Sequence, residues 1–186
     1  MKKFVFATIL CLTAMAAQAQ IITKDIVAKQ YEDAVTSQQS EFAYNAEYED
    51  GAITTLYVYN KVERKKNLEL RPVFMYQYNY DAAGLLLCRT KYGWNHRMGD
   101  WQCLGRLDFS YAADSYNVEY SRWNAKNAQF DNPVDKMTYT LLPDASVNHV
   151  YCYHRDHASD DLRLCSQMTV DVLPFFPDDY LMHADK

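Results

Sequence analysis

The sequence lacks several features that would place it in a common functional class. It contains no G-x-S-x-G nucleophile motif, no H-E-x-x-H zinc motif and no glycine-rich phosphate loop. Basic residues number 19 against 24 acidic residues, which gives the 186-residue chain a formal net charge of −5. Such a chain has no general attraction for nucleic acid or anionic lipid. We therefore expect no nucleic-acid partner and no cofactor, and enzyme activity has no positive support.

The longest apolar stretch lies at the N-terminus and has the form of a signal peptide. Lys2 and Lys3 precede an apolar run over residues 4–15, and Ala17-Gln18-Ala19 forms an A-x-A cleavage site. The run is too short to span about 30 Å of hydrocarbon, and no later segment is apolar enough to cross a membrane. We expect residues 1–19 to be removed and residues 20–186, a single domain, to reach the periplasm or the exterior.

Glycine and proline are scarce, with five of each, whereas tyrosine is abundant, with 16. Tyrosine favours strands, and a chain this rich in aromatic residues is not expected to be disordered. Four segments begin alike, with alternating apolar and polar residues, and their starts lie 31, 30 and 31 residues apart. They begin at Tyr76, Leu107, Met137 and Met168. This periodicity predicts a chain of repeated β-hairpins.

The fold predicted from this repeat is all-β. Loops of four to eight residues separate the strands, which leaves no room for crossover helices and indicates an antiparallel meander. A sheet with one aromatic face is expected to curl, into a half-barrel or barrel, or to be covered by a lid. Helical spacing after Thr23, a residue type that caps helix N-termini, predicts a short N-terminal helix near 24–36 as that lid. The tail, residues 173–186, contains two prolines and is predicted to be irregular.

Strand alternation assigns the side chains to two faces of the sheet. The apolar face is predicted to hold Tyr76, Tyr78, Tyr80, Trp101, Leu107, Phe109, Tyr111, Tyr116, Val118, Tyr120, Met137, Tyr139 and Leu141. The polar face is predicted to hold Gln77, Asn79, Asp108, Ser110, Glu119, Thr138 and Thr140. Trp123 is out of phase with Val118 and Tyr120, which predicts a bulge near Ser121 and Arg122.

Two motifs carry resemblances to known families. Tyr78-Asn-Tyr80-Asp81-Ala-Ala-Gly84-Leu-Leu86 resembles the tyrosine–aspartate (YD) repeats of large bacterial surface and toxin-carrying proteins. Trp94-Asn95 and Trp123-Asn124 are each followed by an aromatic residue, Trp101 and Phe130, seven positions after the tryptophan. With the signal peptide and the size, these motifs are similar to a family of small secreted proteins of unknown function from Gram-negative gut anaerobes. That resemblance implies export and repeated hairpins, and it implies no activity.

The candidate binding residues are Trp94, Trp101 and Trp123, which lie near predicted hairpin ends. Ring faces at such positions can stack on sugar rings or on the apolar side chains of a partner protein. Cross-strand aromatic pairs also stabilise sheets without any ligand, and this packing role is the alternative interpretation.

Four cysteines remain after the predicted cleavage, and an exported chain favours their oxidation. If Tyr153 pairs with Leu162, Cys152 and Cys165 are diagonal neighbours, so they form the predicted disulfide. If Trp94 lies opposite Trp101, Cys88 is predicted to lie opposite Leu107 and Cys103 opposite Tyr92, too far apart along the strands to bridge. They are then either buried thiols or paired through another register.

The function predicted from these features is a secreted, non-catalytic binding or scaffold module that recognises a protein or glycan at the cell envelope or outside it. One alternative is a metal-dependent hydrolase using the region from His149 to Asp161, where three histidines and three aspartates occur. Their spacing matches no zinc signature, and a solvated hairpin loop explains them. A second alternative is a barrel that encloses a small apolar ligand.

Overall fold

The computed structural model describes residues 21–37, 41–64, 67–143, 147–157 and 160–169. The predicted signal peptide (1–19) and irregular tail (173–186) lie outside these residues. The described chain forms one helix, α1 (Lys24–Thr36), followed by ten strands. The strands are β1 (Phe42–Glu49), β2 (Ala52–Arg64), β3 (Asn67–Tyr80), β4 (Leu86–Asn95), β5 (Asp100–Tyr111), β6 (Ser115–Asn124), β7 (Gln129–Phe130), β8 (Asp135–Leu141), β9 (Val147–His154) and β10 (Arg163–Thr169).

The strands form one antiparallel sheet in the order of the chain, with one exception. The two-residue β7 pairs with β6 at its end, and β8 pairs with the rest of β6. This confirms the predicted meander of hairpins. The order runs from β1 to β10 without joining its ends, so the sheet formed by the described residues is open rather than a closed barrel. No described helix has the length and apolar character needed to span a membrane.

Tight turns set the register of the first hairpins. Asp50 and Gly51 both have positive φ, 49° and 74°, in the two-residue turn between β1 and β2. In the turn after β3, one carboxylate oxygen of Asp81 accepts hydrogen bonds from the amides of Ala83 and Leu85, at 2.9 and 2.8 Å. Gly84 has a φ of 82° in the same turn. The Asp81 side chain therefore stabilises the turn formed by the Asp-x-x-Gly segment.

Helix α1 has the bounds expected from the sequence, and the Thr23 hydroxyl accepts a hydrogen bond from the Ile26 amide at 3.4 Å. Its buried residue Val27 joins a core with Leu86, Leu107, Phe109, Val118 and Met137. We call the side of the sheet that carries this core the helix face. The chain before the helix is also anchored there, because the Tyr111 hydroxyl donates to the carbonyl groups of Ile22 and Leu86, at 3.2 and 2.8 Å.

The structure corrects the predicted side of Trp101. The register between β4 and β5 shifts where Lys91 pairs with Gly105 but Tyr92 pairs with Cys103. The extra residue, Leu104, reverses the alternation along β5, so Trp101 lies on the face opposite to Leu107. Cys88 pairs with Asp108 instead of Leu107, whereas Cys103 lies opposite Tyr92 as predicted.

The predicted bulge near Ser121 and Arg122 is also wrong in its position. Those residues pair with Arg106 and Gly105 on β5 without any register shift. On the other side of β6, Tyr120 pairs with Asp135 but Trp123 pairs with Phe130. The irregularity therefore belongs to the facing chain between β7 and β8, where the extra residues are accommodated.

Candidate functional site

The two Trp-Asn motifs build the same hairpin end twice. Trp94 pairs with Trp101, and their ring centroids lie 4.9 Å apart at an interplanar angle of 69°. Trp123 pairs with Phe130 at 5.0 Å and 70°. This edge-to-face geometry is one of the favoured arrangements of aromatic pairs. The repeated spacing of seven residues thus places an aromatic pair at the end of each hairpin.

The asparagine of each motif closes its turn. The Asn95 side-chain oxygen accepts hydrogen bonds from the amides of Arg97 and Met98, at 3.0 and 3.2 Å. The Asn124 oxygen accepts from the amides of Lys126 and Asn127, at 3.2 and 3.3 Å. In both turns the tryptophan directly precedes the asparagine that fixes the loop, so its position is set by local structure.

The three tryptophans lie on the face of the sheet opposite to α1, which we call the tryptophan face. It comprises the half-buried residues Tyr57, Tyr92, Trp94, Trp101, Trp123 and Phe130. The Tyr57 ring, on β2, lies 6.1 Å from the Trp101 ring, on β5. Since two strands separate β2 from β5, these side chains converge across the sheet above the buried Met75. The rings therefore pack together and still expose part of their surface.

Polar side chains hydrogen-bond beside these rings. The Tyr92 hydroxyl donates to Gln77 Oε1 at 2.9 Å, and the Tyr57 hydroxyl donates to Glu47 Oε1 at 3.2 Å. The Arg106 guanidinium lies 4.4 Å from the centroid of the Phe130 ring, and it also pairs with Asp108 at 2.9 Å. The tryptophan face thus combines ring surfaces with hydrogen-bonding groups.

An open groove of about 820 Å³ lies between this face and the turn ends near α1. Its volume is in the range of ordinary ligand sites. Hydroxyl, amide and carboxylate side chains line much of it, including Glu49, Thr55, Gln77, Asn79 and Thr90. Gln77 connects the groove to the rings through its hydrogen bond with Tyr92. We call this cavity the polar groove.

Tyr57 and Arg106 belong to this face and were not predicted from the sequence. Tyr57 carried a usable signal, because Tyr57-Val-Tyr59-Asn60 occupies the repeat position of Tyr92-Gly-Trp94-Asn95. Arg106 carried none, since its contact with Phe130 depends on how the short β7 pairs with β6.

The four described cysteines are free thiols in the structure. Cys165 lies in an irregularity of β10, and its thiol donates to the Cys152 carbonyl at 3.1 Å. The register differs from the expected one, because Tyr153 pairs with Leu164 rather than Leu162. Burial raises the pKa of both the Cys88 and the Cys103 thiols, which disfavours their reactive thiolate forms.

The histidines of the region from His149 to Asp161 do not converge. His149 stacks on Tyr151, with ring centroids 6.1 Å apart, whereas His154 lies five residues along the same strand and so on the other face. His154 Nδ1 lies 2.7 Å from the buried Asp135. In the part of the chain that the structure describes, no three His, Cys, Asp or Glu side chains are placed to hold a metal ion.

Comparisons with known proteins identify a family but no activity. The model of a family of unknown function, DUF3836, matches residues 1–141. A crystal structure of a protein of unknown function from Bacteroides fragilis NCTC 9343 is similar, with a TM-score of 0.62 and 23% identity over 72% of this chain and 95% of that chain. At this identity the likeness shows the fold alone. No curated protein matches the chain.

Two further solved structures, both described as DUF3836 family proteins, are more distant. The one from Bacteroides vulgatus ATCC 8482 has 23% identity and a TM-score of 0.45, over 49% of this chain and 89% of that chain. The one from Parabacteroides distasonis ATCC 8503 has 18% identity and a TM-score of 0.47, over 53% of this chain and 89% of that chain.

Proposed function

Since the chain belongs to the DUF3836 family of unknown function, we propose a function from its own geometry: it is an exported, non-catalytic module that binds a glycan through the tryptophan face and the polar groove. The observation that carries this proposal is the position of the tryptophans. All three tryptophans of the chain lie half-buried on the face opposite to the helix, next to a groove with polar lining.

The chemistry of this surface matches that of a sugar ring. A pyranose has apolar C–H faces, which stack on aromatic rings, and a rim of hydroxyl groups, which need donors and acceptors. Trp94, Trp101 and Tyr57 supply ring surface, and Gln77 and Asn79 supply amide groups in the adjoining groove. A partner protein would also be attracted to exposed Trp, Tyr and Arg side chains. The polar groove favours the glycan.

Export is supported by the signal-peptide pattern of residues 1–19. It predicts that Cys152 and Cys165 are oxidised to a disulfide in the mature protein. The 3.1 Å contact of the Cys165 thiol with the Cys152 carbonyl supports this pairing. Closing this short loop stabilises a chain by about 2–3 kcal/mol in the chain-entropy picture. Alkylation of the exported protein in denaturant without reductant, followed by mass spectrometry, is expected to label Cys88 and Cys103 only. Labelling of all four thiols contradicts the prediction.

Binding is tested by electrophoresis of the purified mature chain in gels that contain neutral polysaccharides. We expect at least one polysaccharide to retard the protein, and the Trp94→Ala and Asn79→Ala variants to lose most of that retardation. The matched control is Tyr48→Ala, which removes an exposed ring on the edge strand β1, 56% accessible and outside the tryptophan face. Circular dichroism checks that each variant is folded.

Two outcomes contradict the proposal. Retardation that Tyr48→Ala weakens as much as Trp94→Ala does would show that the binding surface lies elsewhere. The second outcome is that no polysaccharide retards the chain, while the parent chain captures a specific protein that Trp94→Ala does not capture. This result would show that the partner is a protein and not a glycan.

A further inference from the structure

A second cluster of aromatic and charged side chains lies on the helix face, further along β4 than Leu86. It consists of Phe74 and Tyr76 on β3 and Arg89 and Lys91 on β4, and we call it the cation patch. Lys91 Nζ lies 3.9 Å from the centroid of the Phe74 ring and 5.8 Å from that of the Tyr76 ring. Arg89 Cζ lies 5.1 Å from the Tyr76 centroid. Two cations therefore flank one tyrosine ring.

Neither cation has a carboxylate partner among the described residues. The strand register aligns each of them with one row of side chains across the sheet. The row of Lys91 consists of Leu56, Tyr76, Lys91, Gly105 and Arg122. The row of Arg89 consists of Tyr78, Arg89, Leu107, Tyr120 and Asp135. The carboxylate in these rows is Asp135, which is three strands from Arg89 and already contacts His154 at 2.7 Å.

The half-buried position of Lys91 makes this arrangement costly. Burial lowers the pKa of the Lys91 ammonium, and the nearby charge of Arg89 lowers it further. Contacts with the aromatic rings offset part of this cost, and a charge-assisted hydrogen bond to an anion would offset more of it. Arg89 also hydrogen-bonds the Tyr78 hydroxyl, which carries no charge. An anion that contacts both cations would offset their repulsion and accept charge-assisted hydrogen bonds from them.

A third cation and a hydroxyl group extend the patch across β5. Arg122 is exposed and belongs to the row of Lys91, with Gly105 between them. A Cβ atom at Gly105 would come within 2.7 Å of the Tyr120 ring and 2.8 Å of its hydroxyl oxygen. Glycine at this position thus lets the Tyr120 ring lie against β5, with its hydroxyl at Gly105, the residue that separates Lys91 from Arg122 in their row.

We propose that the cation patch, together with Arg122 and the Tyr120 hydroxyl, binds an oxyanion group, a carboxylate or a sulfate, of a ligand. This site lies on the opposite face from the tryptophans and does not depend on the function proposed for them. In a chain with a net charge of −5, general electrostatic attraction does not favour anions. Binding therefore has to come from these local groups.

The test is a titration of the ¹⁵N-labelled mature chain with sodium sulfate and, separately, with sodium galacturonate, at constant ionic strength set with sodium chloride. We expect saturable shifts of the backbone amide signals at residues 74–76 and 89–91 with at least one of the two probes. The stronger probe distinguishes a sulfate ligand from a carboxylate ligand. Lys91→Gln should weaken binding by about tenfold or more, which corresponds to about 1.4 kcal/mol. Lys91→Arg should retain binding, because it keeps the charge.

The matched control is Lys136→Gln. Lys136 also lies on a strand and is half-buried, but it already pairs with Glu119 at 3.4 Å, so its loss should leave binding unchanged. Linear shifts without saturation for both probes would overturn the proposal, as would equal weakening by Lys136→Gln.

Discussion

Both faces of this sheet carry aromatic side chains, but the two faces bury these side chains to different extents. On the helix face, Tyr116 and Tyr139 stack in parallel at 4.4 Å and are only 4% exposed. On the tryptophan face, Trp94 and Trp101 meet edge to face at 4.9 Å and remain half-buried. Abundant aromatic residues therefore do not indicate function by themselves. The rings that remain accessible at hairpin ends are the ones available to a ligand.

The largest expected effect is a difference in the loss of stability when an aromatic ring is removed from each face. Phe109→Ala, in the core of the helix face, should reduce the free energy of unfolding by about 3–5 kcal/mol, because it leaves a cavity in packed surroundings. Trp123→Ala should cost about 1–2 kcal/mol, since it removes a half-buried ring and one aromatic pair. Urea denaturation of both variants measures the difference. Equal losses would show that the tryptophan face is a second core.

The next effect is the loss of stability at alkaline pH. Buried tyrosines on the helix face should account for most of it. Burial, and then the nearby Cys152 thiol, raise the pKa of Tyr139 from 10.0 to about 12, and burial also raises the pKa of Tyr116. The neutral phenol is favoured in the folded state, so its stabilising contribution is complete below pH 10. It is lost as the pH rises from about 10 through the folded-state pKa.

Denaturation midpoints measured between pH 8 and pH 12 check this expectation. The parent chain should lose up to a few kcal/mol over that range. Tyr139→Phe should make the fall in stability with pH less steep. Stability should still decrease, because Tyr116 contributes in the same direction. An unchanged slope in Tyr139→Phe would contradict the assigned burial.

The smallest effect compares the two hairpin turns of the tryptophan face. Gly99 and Ala128 occupy equivalent positions and have positive φ values of 67° and 51°. No other atom lies within 4 Å of a Cβ built at Gly99, so the backbone alone decides the outcome. Gly99→Ala should destabilise by about 1 kcal/mol, and Ala128→Gly should stabilise by about 0.5–1 kcal/mol. Thermal unfolding measures both, and changes of the same sign would contradict the equivalence of the turns.

Local patterns predicted most of this fold. The helix followed from the Thr23 cap and from apolar spacing, and the meander followed from alternation, because both depend on residues close in sequence. The side of Trp101 was predicted wrongly because one extra residue, Leu104, reverses a whole strand segment. Gly105 carried a signal for that bulge, since an isolated glycine within a strand often marks one.

The candidate site was predictable only in part. The spacing of seven residues pointed to the pairs of Trp94 with Trp101 and of Trp123 with Phe130, because each pair closes a single hairpin. The repeat places Tyr57 at the position of Tyr92, but its contact with Trp101 and the alignment of Lys91 with Arg122 were not predictable. They depend on the register of several successive strands, and an error of one residue moves every later side chain to the other face.

The most direct test of the binding account is an NMR titration of the three indole N–H signals. These signals report on the tryptophan face alone, because all three tryptophans of the chain lie there. With the polysaccharide fragment that retards the protein best, we predict saturable shifts of these signals and of the amides lining the polar groove, while the core amides at Phe109 and Val118 stay unchanged. Bound protein with unmoved indole signals would contradict the account.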